Sequence, residues 1–333
     1  MRNIWRRAAR SSDLLLLAVI GLASVSGAEQ SRKPKLPTLP YKSLAGYIVD
    51  VKQRLPRSGS EGFIEPSAAE REAFATAMRT ALYGGLPLNL LASLNYEAAY
   101  LRDDALSQTY LVIAEKQNNA RGLGTYILRT RPRRNIVLEV PHPLFDLDTP
   151  EEGARILVET GARGLFISGT HRCANAALSP CSDAGSSACN GETRVSDAAH
   201  FTRNFFHAAH RATLELRHPP VVLSIHGNAV ESLPDVVLSA GMRQNLAETA
   251  PVNRLRTALK SRGVGAGSCN SSADDVSQLC GGSNVQGRLS NGSTDECTRN
   301  ASSPSGLFLH VEQHLNIRRE PSQLIAALKE IFQ

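Results

Sequence analysis

Apolar runs separated by helical patterns constrain this chain more than any other feature. "RNIVLEV" (134–140), "ARGLFISGT" (162–170), "PPVVLSIHG" (219–227), "PDVVLSAGM" (234–242) and "GLFLHVEQHL" (306–315) read as strands. The first lacks strict apolar/polar alternation, as expected of a strand buried on both faces. Between and after the runs lie the helical patterns "TPEEGARILVETG", "SDAAHFTRNFFHAAHRATLEL", "VNRLRTALKSRG" and "EPSQLIAALKEIF". Strands joined through helices need crossover connections. The expected fold is therefore α/β, with a mixed, largely parallel sheet covered by helices on both faces. Ligands in such folds gather at the carboxyl ends of the strands.

Upstream, "PSAAEREAFATAMRTALYGG" predicts a helix capped by Ser67 with Glu70 three residues on, ending at Gly84-Gly85. "LPLNLLASL" predicts a second, short one. "TYLVIAEK" and "LGTYILRT" predict two antiparallel strands joined by "QNNARG". In "TPEEGARILVETG", Thr149 is the expected N-cap, Pro150 the first helical residue, Glu152 the partner in a capping box and Gly161 the terminator.

The first residues read differently. "MRNIWRRAARSSD" is basic, "LLLLAVIGLASV" is apolar and "SGA" is small, the pattern of a secretory signal peptide over residues 1–28. The apolar run is short for a membrane span, so stable membrane insertion is not expected; an uncleaved anchor is the alternative. Residues 29–45, rich in Lys and Pro, read as a linker, leaving 46–333 as one domain. The whole chain carries +6; residues 1–28 hold four arginines and one aspartate, so the remainder carries +3. That mild charge excludes a nucleic-acid footprint. The expected location is secreted or periplasmic.

The six cysteines, Cys173, Cys181, Cys189, Cys269, Cys280 and Cys297, include no C-x-x-C pair and suit disulfides in an exported chain. They fall three each in two long polar segments, 173–196 and 265–306. Loops of that length inside a domain are usually functional or disordered. Because three is odd, full intramolecular pairing requires at least one bridge between the segments.

The chemistry concentrates at strand ends. His142 follows the first run, with Asp146 and Asp148 close behind; His171 and Arg172 follow the second; His226 and Gly227 end the third; Glu312 lies in the last. Two imidazoles and one carboxylate make a three-ligand zinc site with a position for water, and a further carboxylate can take that water's proton. Asp146 is preferred as the ligand because Asp148 abuts the helix cap, but spacing leaves both open. His310, Glu312 and His314 alternate along one strand face. His171, His200, His207, His210 and His218 read as hydrogen-bonded structural residues, His171 lying close enough to support the site.

"VPH" after one strand, "HG" after another and a late "VEQHLNIR" resemble zinc amidohydrolases related to N-formylglutamate amidohydrolase and phage poly-γ-glutamate hydrolase, over roughly residues 136–320. The resemblance implies a zinc-carboxypeptidase-like fold. It implies zinc held by His142, Asp146 and His226, and Glu312 as catalytic base, with Asn316 and Arg318 beyond it. It also implies amide substrates bearing free carboxylates, N-acyl amino acids or γ-glutamyl-type peptides. The spacing from histidine to acid and the two cysteine-bearing insertions depart from the pattern. Arginine suits a carboxylate clamp, and Arg172 and Arg288 are the candidates; Asn284 and Gln286, near Arg288, could bind an amide. Two other readings compete: a zinc phosphoesterase, for which Asp148 could serve a second metal, and a non-enzymatic envelope binding protein on the same fold. A cupin-like site on "HVEQH" fits poorly with so many helices.

Overall fold

The computed structural model describes residues 36–181, 188–274 and 276–333. The expected signal peptide and residues 29–35 of the expected linker lie outside the described residues. Three helices come first, α1 (Leu44–Arg54), α2 (Ala68–Leu82) and α3 (Leu88–Ser93). An antiparallel meander follows: β1 (Tyr96–Asp103), β2 (Gln108–Glu115) and β3 (Thr125–Arg129). Then come β4 (Ile136–Val140), α4 (Thr149–Thr160), β5 (Gly164–Ile167), α5 (Phe205–Leu214) and β6 (Val221–Gly227). The chain continues through β7 (Val236–Ser239), α6 (Pro251–Lys260), β8 (Ala266–Ser268) and α7 (Val285–Ser290), and ends with β9 (Phe308–Gln313), α8 (Leu315–Arg319) and α9 (Ser322–Ile331).

The strands form one sheet in the order β1-β2-β3-β5-β4-β6-β9-β7-β8. Its centre, β5-β4-β6-β9, is parallel, so the carboxyl ends of these four strands lie together. β3 and β7 flank that centre antiparallel to it. Alternate strand residues enter two cores. Ile136, Leu138, Val140, Leu223, Ile225, Leu309 and Val311 pack under α1, α4, α6 and α9. Val137, Val222 and Phe308 face the other way, toward Phe74 and Met78 of α2 and Phe205, Phe206 and Ala209 of α5. Two buried faces explain why β4 is apolar at consecutive positions. On the second face the sheet turns polar toward its carboxyl edge. Register pairs Glu139 with Ser224, Ser224 with His310 and His226 with Glu312.

Local signals were largely obeyed. Ser67 and Glu70 form the expected capping box, and Gly161 ends α4 at φ +71°. Two expectations need correction. The helix expected over 196–216 begins only at Phe205, where the Asn204 side chain accepts from the His207 N–H. Upstream, Asp197 accepts from the Ala199 N–H and closes a turn instead; short polar side chains compete with helix in this way. The N-cap of α4 is Asp148, not Thr149, and the expected Thr149–Glu152 box does not form. Thr149 Oγ1 donates to the Asp146 carbonyl, and Glu152 is buried against Gln313. β1 is a strand that no local pattern announces. Its "YEAAYLRD" has little β preference, and full pairing with β2 imposes the strand. The described end of the linker packs on β1, with Leu36 buried and Thr38 bridged to Tyr100.

The cysteines pair as Cys173–Cys189, Cys181–Cys297 and Cys269–Cys280. Cys181–Cys297 is the cross-link between the two polar segments that their odd counts required. A loop of 116 residues closed this way stabilises the fold by a few kcal/mol, about 4–5 in the chain-entropy account.

Candidate metal centre

His142 sits one residue beyond Pro141 at the exit of β4. Its carbonyl accepts from the Phe145 and Asp146 N–H groups, a helical turn that folds Asp146 back over the imidazole. Asp146 Oδ2 lies 3.2 Å from His142 Nδ1 and 3.5 Å from His226 Nδ1. All three side chains are buried. Tetrahedral zinc with bonds of 2.0–2.2 Å spaces its ligand atoms about 3.3–3.5 Å apart, so the triad fits the ion with its donors already gathered. Each imidazole holds its other nitrogen on a partner: His142 Nε2 on Asp197 Oδ1 at 2.9 Å, and His226 Nε2 on Ser224 Oγ at 2.9 Å. Such partners fix the ring and its tautomer.

Asp148, left open by spacing, is turned away. It stands in the left-handed region at φ +68° and its carboxylate meets Arg319 at 2.9 Å and Lys52 at 3.8 Å. Glu312 comes in from β9, paired in register with His226, its Oε1 3.8 Å from His310 Nε2. His310 packs against His226 with ring centroids 4.4 Å apart and the rings tilted by 33°, and its Nδ1 is buried without a hydrogen bond. Gly281, at φ +64°, lies so close over His310 that a Cβ there would come within 2.7 Å of the ring.

The electrostatics follow from burial and close opposite charges. Burial alone would raise Asp146, but His142 and His226 hold it well below the usual carboxylate range. Asp197 is likewise held low, by Arg172, His200 and His142 against its burial. Burial pushes His226 down to about 4 and His310 well below the usual imidazole value. His142 is raised, because Asp197 and Asp146 outweigh burial and Arg172. Burial, then the Asp146 charge, pushes Glu312 up to about 8.

Arg172 reaches the centre indirectly. Its Nε and Nη2 both meet Asp197 Oδ2, at 2.9 and 2.5 Å, a fork on the carboxylate that holds His142. Arg288 is elsewhere. On α7 it donates to the Gly282 and Cys297 carbonyls and to Asn300 Oδ1, tying together the segment that carries three of the cysteines. Asn284 caps α7, and Gln286 donates to the Ala198 carbonyl. His171 stands beside Phe145, edge to face. Asp197, Ser224 and His310 join the cluster without having been singled out as site residues. His310 was visible as half of an alternating His-x-Glu, and Asn204 was the cap signal that would have freed Asp197 from a helix. His210 is structural, bridging Glu139 Oε1 and Ser290 Oγ at 2.9 Å each.

No protein-family model matches the chain, and no curated protein does. Among solved structures it is similar to a bacteriophage poly-γ-glutamate hydrolase, at 15% identity over 60% of this chain and 84% of that one, with TM-score 0.36. It is similar to zinc-free YNDL at 13% identity over 65% and 92%, with TM-score 0.36. A metallo-carboxypeptidase from Burkholderia cenocepacia matches at 13% identity over 81% and 69%, with TM-score 0.32.

Proposed function

We propose that this chain is an exported zinc-dependent hydrolase that cleaves an amide bond in an N-acyl amino acid or γ-glutamyl-type peptide. The observation that carries the reading is the buried triangle of His142 Nδ1, Asp146 Oδ2 and His226 Nδ1, whose 3.2 and 3.5 Å edges match zinc coordination. These residues would hold the ion, and zinc bound there supplies Lewis acidity toward a carbonyl and an acidified water. Asp197 and Ser224 orient the two imidazoles. Glu312, on the strand beside His226, is the proton acceptor for the attacking water and the donor to the leaving amine. Asp148, the residue that would have served a second metal in a phosphoesterase, is engaged with Arg319 and Lys52, which favours the single-ion amidohydrolase. Export rests on the basic and apolar start of the chain and accords with three disulfides. No helix among the described residues is long and apolar enough to cross a membrane.

Metal analysis of the purified protein tests the reading. About one zinc per chain is expected, with most of it lost in His142→Ala and in His226→Ala. Full zinc retention in both variants removes the site. Hydrolysis of γ-glutamyl amides compared with phosphate esters then separates amidohydrolase from phosphoesterase, and metal-free protein inert to both points to a binding protein.

A further inference from the structure

A cavity of about 220 Å³ lies between α1 and the face of β1, β2 and β3 that α1 covers, and none of the metal-centre residues lines it. Its cause is in the strands. Residues paired directly across a sheet point to one side. Leu101 pairs with Tyr110, and these large side chains pack in one core with Leu44, Tyr47 and Ile48 of α1. Further along the same face Ala99 pairs with Val112, and then Glu97, Ala114 and Thr125 form a row across the three strands. The alanines are too short to meet the helix. Tyr47 and Val51 of α1, with Leu55 just past it, roof the space that remains. An apolar cavity of about 150 Å³ accepts benzene, so this one has room for a single ring with a short side chain.

Three polar side chains on the cavity wall are open. Tyr47 is 3% exposed and Thr125 8%, yet neither hydroxyl has a hydrogen bond among the described residues. Glu97, exposed at the rim, makes no ion pair among them. The other charges on the wall are already matched: Arg54 Nη2 meets Asp50 Oδ2 at 2.9 Å, and Glu115 accepts from the Arg121 and Leu123 N–H groups. A carboxylate only accepts and a hydroxyl can accept, so the group that satisfies all three is a donor. An ammonium brings three N–H donors and the charge opposite to Glu97. Tyr41 and Tyr47, edge to face with centroids 5.1 Å apart, add aromatic surface of the kind that holds organic ammonium ions. We propose that this cavity is a binding site for a small organic ammonium ion. Its ring or short branched chain lies over Ala99 and Ala114, and its ammonium is held by Glu97, Thr125 and Tyr47. The site is separate from the metal centre and does not depend on the hydrolase reading.

The test is calorimetric titration of the purified protein with 2-phenylethylammonium, 2-phenylethanol and phenylacetate, which share the ring and differ in the charge of the head. The ammonium should bind at least about threefold tighter than the alcohol, the size expected of one exposed ion pair with a cation–π contact. Phenylacetate should bind most weakly. Glu97→Gln should bring the ammonium and the alcohol to similar affinity. Ala114→Leu, which fills part of the cavity, should weaken both at least about tenfold. Absence of binding, a preference for the alcohol or the carboxylate, a preference that survives Glu97→Gln, or affinities unchanged by Ala114→Leu each overturn the proposal. Should Ala114→Leu fail to fold, the three probes on wild type and on Glu97→Gln still decide it.

Discussion

Glu152 offers a stability prediction whose sign and size both come from its surroundings. The side chain, on α4, is fully buried, and Oε2 accepts from Gln313 Nε2 at 3.1 Å. Glu152 Oε1 and Gln313 Oε1 have no hydrogen-bond partner. Two acceptors left over from one carboxyl–amide pair are what a protonated carboxyl would satisfy, donating from Oε1 to the amide oxygen. Burial pushes the group up to about 8, against smaller opposing effects of Gln313, Arg318 and Arg155. Because the folded value lies above the unfolded one near 4.3–4.5, the folded protein keeps a proton that the unfolded chain has released between about pH 4.5 and 8. Stability therefore falls as pH rises through that window and levels off above it. At 1.36 kcal/mol per unit, the loss is a few kcal/mol, at most about 5. Glu152→Gln supplies the missing donor permanently and carries no charge. The variant should match wild type within about 1 kcal/mol at pH 5 and be more stable by a few kcal/mol at pH 8.5. Urea unfolding of both proteins at pH 5, 7 and 8.5 reads this directly. Other titrating groups, Glu312 included, are common to both proteins and cancel in the difference. Parallel curves across the whole range, or a variant less stable at pH 8.5, would refute the reasoning.

Glu312→Gln should retain zinc and lose turnover on the order of a hundredfold or more, because the ligands remain and the proton acceptor goes; unchanged turnover makes Glu312 structural. Asp197→Asn should weaken zinc binding roughly 10- to 100-fold, as loss of an imidazole-orienting carboxylate does, read by competition with a chromogenic chelator. Replacing Cys181 and Cys297 together by serine should cost about 2–5 kcal/mol in chemical unfolding, and a variant as stable as wild type would show the two polar segments to be independent. Gly281→Ala, at φ +64° and against His310, should destabilise by about 1–3 kcal/mol; a neutral effect would mean the loop does not press on that ring.

How much was legible in advance depends on the range of the interaction. The strand runs, the Ser67–Glu70 capping box and the Gly161 terminator were readable because their causes lie within a few residues of each other. Cysteine parity was readable because it is arithmetic: two groups of three forced a bridge such as Cys181–Cys297. The histidines at the ends of β4 and β6 could be matched because parallel crossovers place those ends on one edge. Tertiary structure decided the rest. Asp148 stands at φ +68° with its carboxylate on Arg319, while Asp146 lies beside His142 and His226. Asp197 met His142 only because Asn204 delays α5, leaving a turn where periodicity favoured helix. β1 exists because β2 offers it a pairing partner, and Arg288 became a loop tie because its neighbours' carbonyls close around it. Periodicity and capping act along the chain, whereas the aim of a carboxylate such as Asp148 or Asp197 is set by a partner far along the sequence, Arg319 or His142, that only the finished fold brings within reach.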